Sequence, residues 1–111
     1  MSEQNEHMPL TEAVYYILLA LHTPMHGYGI MQYIKELSND RINMGPGTLY
    51  GAIKTMLEKD WIEPIVNEVG SRKKEYKITE LGKEVVRVEI NRLQELINNG
   101  NQIKGSEKDD H

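Results

Sequence analysis

Two stretches of the sequence carry side chains that could grip a polyanion. In Gly45-Pro46-Gly47-Thr48-Leu49-Tyr50, small residues, a hydroxyl and a phenol fall at a predicted helix start, with Lys54 one turn further on. Unpaired N–H groups and the positive end of the helix dipole attract phosphate to such a start. Small residues let another backbone approach, and Gly47, Thr48, Tyr50 and Lys54 offer donors for phosphates or base edges. The plain alternative is a helix cap with Tyr50 packed in the core. The second stretch holds Arg72, Lys73, Lys74 and Lys77, opposed only by Glu75. On a protruding hairpin these bases would neutralise backbone phosphates beside the minor groove. A solvated basic hairpin is the alternative. Each cluster alone is ambiguous, but on adjacent elements they form the paired surface that docking to duplex DNA requires.

Catalysis and metal binding find little to rest on. The chain of 111 residues has no cysteine, which excludes thiolate nucleophiles, disulfides and thiolate zinc sites. His22 and His26 are four apart, but Pro24 between them breaks any shared helix face, and no acid in that turn completes a ligand set. His7 and His111 stand far away in the termini. Glu80, Glu84 and Glu95 are helix-surface acids, with Glu84 spaced to pair with Arg87. No nucleophile elbow, phosphate-binding loop or dinucleotide fingerprint occurs. No enzyme activity, cofactor or metal is expected.

The formal net charge of −4 is unevenly placed. Of the 17 acids and 13 bases, five acids and one base lie in residues 1–7 and 105–111, which leaves twelve of each in the body. The body is neutral, with its bases gathered on the hairpin. No apolar run approaches the ~20 residues that span a bilayer, and the polar first residues make no signal peptide. A cytoplasmic protein with no membrane partner is expected.

The elements that must position these residues follow from periodicity. Leu10, Val14, Ile17, Leu18 and Leu21 keep helical spacing over 10–22, with Thr11 as N-cap and Pro24 as a stop. Tyr16, Leu19 and Ala20 make the other side apolar too, so this helix is predicted to meet a partner chain. A turn over 22–27 leads to a helix over 28–38, with Ile30, Ile34 and Leu37 inward and Asn39-Asp40 at its end. A helix over 46–59 packs Leu49, Ala52, Ile53, Met56 and Leu57. Trp61–Val66 and Lys73–Ile78 read as antiparallel strands around a short loop, with Pro64 marking an edge. Thr79 caps a final helix that Asn98-Asn99-Gly100 should stop.

That helix has more apolar surface than its own domain needs. Val86, Ile90, Leu93 and Ile97 form one stripe, and Leu81, Val85, Val88 and Leu96 another. One stripe can cover the domain and the other a second subunit. The expected architecture is mostly α with a small β-hairpin: a winged helix-turn-helix plus a C-terminal dimerisation helix. It divides into a tail over 1–7, a DNA-binding domain over 8–78, the dimerisation helix over 79–99 and a flexible acidic tail over 100–111.

Three segments are similar to the PadR family of bacterial transcription regulators. They are Ile17-Leu18-Leu19-Ala20-Leu21 with His26-Gly27-Tyr28-Gly29-Ile30, then Pro46-Gly47-Thr48-Leu49-Tyr50 with Ile53 and Leu57, then Arg72 to Gly82. Order and spacing match over about residues 10–98, and the single last helix resembles the short subfamily. The resemblance implies a homodimeric winged-helix repressor of an inverted-repeat operator in double-stranded DNA. It also implies a small hydrophobic or aromatic effector at the dimer interface. Where the family carries glycine before the first wing strand, this chain has Asp60, which tolerates a left-handed backbone. Its last helix lacks the aromatic walls that grip flat ligands in some short members, so Tyr15, Tyr16, Leu93 and Leu96 are the candidate effector contacts, and Tyr16, Val86, Ile90, Leu93 and Ile97 the candidate dimer contacts. A winged-helix module that binds protein rather than DNA is the rival reading, kept open by the neutral body.

Overall fold

Thr11 starts the first helix as expected: its hydroxyl accepts the Val14 N–H at 3.1 Å. The structure, a computed structural model, describes residues 9–66 and 74–109. Helix α1 (Glu12–Ala20) buries Ile17, Leu18 and Ala20, and Leu21 beyond its end. Ala20 therefore belongs to the chain's own core and not to the outward side predicted for it. The His22 ring closes the helix by bonding the Leu18 and Leu19 carbonyls at 3.0 and 3.2 Å.

The turn that follows contains a two-residue strand, β1 (Met25–His26). Helix α2 (Gly27–Leu37) begins at once, capped by the His26 ring, which accepts the Gly29 N–H at 3.3 Å. It ends at buried Ser38, and Asn39 and Asp40 take left-handed φ values of 56° and 65°. Asn and Asp bear this conformation better than other side chains. Helix α3 (Pro46–Glu58) has Pro at its first turn and buries Leu49, Ile53 and Met56. Asp60 then turns the chain with φ 62°, as its type allows.

Strands β2 (Ile62–Ile65) and β3 (Glu75–Ile78) pair antiparallel, with Glu63 opposite Lys77 and Pro64 opposite Tyr76. β3 also pairs with β1, Met25 opposite Tyr76, so the sheet order is β1-β3-β2 and β2 is an edge that admits proline. The loop between β2 and β3, with Arg72 and Lys73, lies outside the described residues.

Thr79 begins helix α4 (Glu80–Asp109). Its hydroxyl donates to the Asp60 carbonyl at 2.6 Å and accepts the Gly82 N–H at 3.0 Å, which ties the α3–β2 turn to the new helix. Gly82, Val85, Val86 and Glu89 face the body and are buried. Two corrections follow. Val86 fills the chain's own core and is not free for a second subunit. The helix also runs through Asn98-Asn99-Gly100 instead of stopping there, so residues 100–109 are helical and not a loose tail. A glycine in a helix costs only about 1 kcal/mol against Ala, and Gly100 takes no left-handed turn.

Thirty residues make a rod about 45 Å long. The body covers its first third, and the rest projects, which stretches the molecule to 66 Å. Among the described residues, no helix is long and apolar enough to cross a membrane.

The joint between α4 and β2 is tight. A Cβ at Gly82 would press on the Trp61 backbone, 3.1 Å from its carbonyl carbon, and on the Ile78 side chain at 2.7 Å. Backbone cannot give way as a side-chain tip can, so Gly82→Ala should cost roughly 1–3 kcal/mol, the usual toll of overpacking. Urea unfolding followed by Trp61, the single tryptophan, reads this directly.

Candidate nucleic-acid interface

The outward face of α3 is open to solvent. Gly47, Thr48, Tyr50, Gly51 and Lys54 are all exposed, opposite the buried Leu49, Ile53 and Met56. Gly45, the N-cap, makes no side-chain bond, so no capping side chain occupies the first amides of α3. A Cβ at Gly45, Gly47 or Gly51 would meet nothing within 4 Å. Among the described residues nothing calls for glycine at these points. Their effect is to leave bare backbone on a surface that something else can approach.

Tyr50 answers to both of its sequence readings in part. It is 48% exposed, so it is not a core residue, yet its ring lies against the start of α2. It also stands near Tyr76 of β3, whose phenol is pushed up from its usual range first by burial and then by Tyr50.

On the wing, Lys74 is exposed, while Lys77 faces Glu63 across the strands at 3.7 Å. Lys77 is thus partly neutralised within the hairpin. Arg72 and Lys73 lie outside the described residues.

Tyr15 and Tyr16 are half-buried on α1, with ring centroids 6.2 Å apart and planes inclined at 40°. They form a corner rather than two facing walls. Burial raises the Tyr15 phenol above its usual range, with Glu89 the next cause. Glu89 is a site residue that sequence reading missed. It is 2% exposed and takes two bonds from Arg92, at 3.0 and 2.6 Å. An acid in the run Gly82, Val85, Val86, Glu89, Leu93 sits at a core position, and that register was the signal available. Beyond it Leu93 is half-buried, and Ile90, Leu96, Ile97 and Ile103 are exposed on the projecting rod.

The histidines serve locally, His22 as a helix-end cap and His26 as an N-cap. Arg87 pairs with Glu84 as the spacing predicts. One further ion pair ties the α2–α3 connection to α1: Arg41 grips both carboxylate oxygens of Glu12 at its start.

Three helices with a short strand between the first two, a hairpin that completes the three-stranded sheet, and a trailing helix define a winged helix-turn-helix protein. The model of the PadR-like family of transcriptional regulators matches residues 16–88, and the chain belongs to that family. Its members are transcription regulators, not enzymes. A PadR family regulator from Clostridium difficile R20291 superposes with a TM-score of 0.69 at 22% identity, covering 84% of this chain and 98% of its own. A PadR-like transcription factor from Bacteroides fragilis gives 0.67 at 28% identity, covering 92% and 95%. Bacillus subtilis PadR in complex with operator DNA gives 0.58 at 24%, covering 71% of this chain and 46% of its own. The curated relatives are longer: the chain spans 25% of a 37.1 kDa protein from a Streptomyces fradiae transposon, 32% identical over 90 residues.

The Glu12–Arg41 clasp makes a pH prediction. The guanidinium's hydrogen bond holds the Glu12 carboxyl below its usual value of 4.5. The pair's stabilisation is therefore complete above that value and is lost as pH falls through the lowered one. Both partners are exposed, so the effect is small and weakens in salt. Arg41→Ala should flatten the acid limb of thermal midpoint against pH below about 4.5 and leave the neutral limb nearly unmoved; parallel curves would deny the clasp any role.

Proposed function

We propose that this chain is a homodimeric repressor that binds an inverted-repeat operator in duplex DNA. Gly47, Thr48, Tyr50 and Lys54 of α3 would enter the major groove of each half-site, with Arg72, Lys73 and Lys74 of the wing along the backbone. The observation that carries this reading is the glycine-smoothed face of α3, open at Gly47 and Gly51 and set among exposed donors. The operator complex of Bacillus subtilis PadR, a protein of the same family, supports it.

The dimer half of the proposal rests on the projecting rod. Leu96, Ile97 and Ile103 are 51%, 54% and 64% exposed and continue the helical face that Val85, Val86 and Leu93 turn to the body. Such a stripe is stable in water only when covered. A second α4, with Tyr16, Ile90, Leu93 and Ile97 at the contact, covers it symmetrically. A small hydrophobic or aromatic effector would lodge by Tyr15, Tyr16, Leu93 and Leu96, where the rod leaves the body, and change the angle between them.

Three measurements test this reading. Lys54→Ala and Lys74→Ala should each weaken binding to duplex DNA and reduce the slope of log affinity against log salt by about one unit. An unchanged slope removes that lysine from the contacts, and a wild type with no salt-sensitive shift favours a protein-binding module instead. Ile97→Glu should convert the dimer to a monomer in light scattering while the far-ultraviolet circular dichroism of the folded chain is retained, because the side chain is exposed within one chain. A wild type that is already monomeric sinks the two-half-site model.

A further inference from the structure

The junction of α2 and α3 contains a contact that neither helix needs for its own packing. Gly27, the first residue of α2, is buried. Its φ is not in the left-handed region, so its backbone does not demand glycine. Its surroundings do. A Cβ there would lie 2.7 Å from Cζ of Tyr50, nearer still to the hydroxyl oxygen, and 3.3 Å from Cδ2 of Leu49. The slot left by the missing Cβ is filled by the end of the Tyr50 phenol.

Tyr50 would otherwise be an exposed side chain on an open helix face, free to choose among rotamers. The slot turns its ring back from α3 onto the start of α2. There the position is fixed on both sides: His26 caps α2 through Gly29, and β1 holds His26 opposite Glu75 of the wing strand β3. Tyr50 as a whole residue keeps 48% of its surface in solvent. When a recognition helix occupies the major groove, the helix before it crosses the sugar-phosphate backbone. A hydroxyl held at the first residue of that helix stands at the groove edge, where phosphates run, and not over the base pairs.

We propose that Gly27 is a positioning residue for Tyr50, and that the phenol it positions donates to a DNA phosphate instead of reading a base. The inference rests on the reading of α3 as the groove helix and assigns one of its residues to the backbone. Gly27 touches no DNA itself and acts only through the space it leaves.

A phosphate contact is blind to sequence, so the probe is a fluorescein-labelled 30-base-pair duplex of random sequence, titrated by anisotropy at low salt, with melting followed in parallel. Tyr50→Phe keeps the ring in the slot and removes the donor. It should weaken binding roughly tenfold to a hundredfold, as for a hydrogen bond to a charged group, with unchanged melting. Gly27→Ala should displace the phenol and weaken binding by a similar factor, and adding Tyr50→Phe to it should cause no further loss. Should Gly27→Ala lower the melting temperature through crowding, Gly27→Ala with Tyr50→Ala relieves the clash. That double variant should melt higher than Gly27→Ala and still bind weakly. The proposal is overturned by a Gly27→Ala variant that binds as wild type, by losses that multiply, by a crowding-relieved double variant that binds normally, or by a Tyr50→Phe variant that keeps its random-sequence affinity. A wild type that ignores duplex DNA at low salt overturns the groove reading as well, whereas normal wild-type binding with an indifferent Tyr50→Phe overturns this inference alone.

Discussion

Four residues of β3 hold every surface of the molecule in relation to the others. The strand pairs on one side with β1, which starts α2, and on the other with β2, which follows α3. Its last residue, Ile78, donates its N–H to the carbonyl of Leu21 at the end of α1 at 2.8 Å, and the next, Thr79, caps α4. Tyr76 and Ile78 point into the core between these contacts. A shift of β3 by one residue would turn both outward, since strand side chains alternate. It would also separate the wing from α2 and the rod from α1. The register is thus fixed by burial and by a cap at once, and the relation of wing to recognition helix follows from it.

The surfaces so arranged divide the labour between charge and shape. With twelve acids against twelve bases, the body has little of the long-range attraction by which basic domains collect on nucleic acid. Lys77 loses part of its charge to Glu63, and on α3 the exposed Lys54 has the acid Glu58 one turn on. What that face does have is access: three glycines open to solvent and a start without a side-chain cap. In the proposed complex a single half-site would be weak, and affinity would come from joining two of them through a linkage of fixed geometry.

Much of this was legible in the sequence because local chemistry and global fold agree. Thr11, Pro46, Asp60 and Thr79 do what their types do best, and periodicity places α1, α2 and α3 within two residues of their observed limits. The failures have physical reasons. β1 is two residues long and exists only because β3 pairs with it, so no local pattern announces it. Asn98-Asn99-Gly100 has the composition of a stop but not the left-handed turn that makes one. Periodicity showed that α4 carries surplus apolar surface but not which residues the body would take. That depends on where α1 crosses, and the answer gave Val86 to the core. Gly27 was quoted for its likeness to a family pattern, while its use, a gap filled by a residue from another helix, is a tertiary fact.

Glu89 marks the turn of α4 at which the rod leaves the body. A buried carboxylate is costly unless paired, and replacing such a pair by apolar residues is often neutral or stabilising. Here the pair sits at the last turn of α4 that the body covers, beside the Tyr15 phenol, with the partner Arg92 reaching toward solvent. Leucine at 89 would pack against α1 in many orientations, since apolar contact has little directional demand. The partner Arg92 lies on α4 itself, three residues on, so the pair neutralises the buried carboxylate within the helix and leaves its orientation to packing. The direction in which some 20 further residues of helix leave the body is set by the packing of Val85, Val86 and the neutralised Glu89 on that body. In the proposed dimer, a ligand that changed this packing would change the angle at which two α3 faces meet one DNA duplex, and the length of the lever would magnify the change.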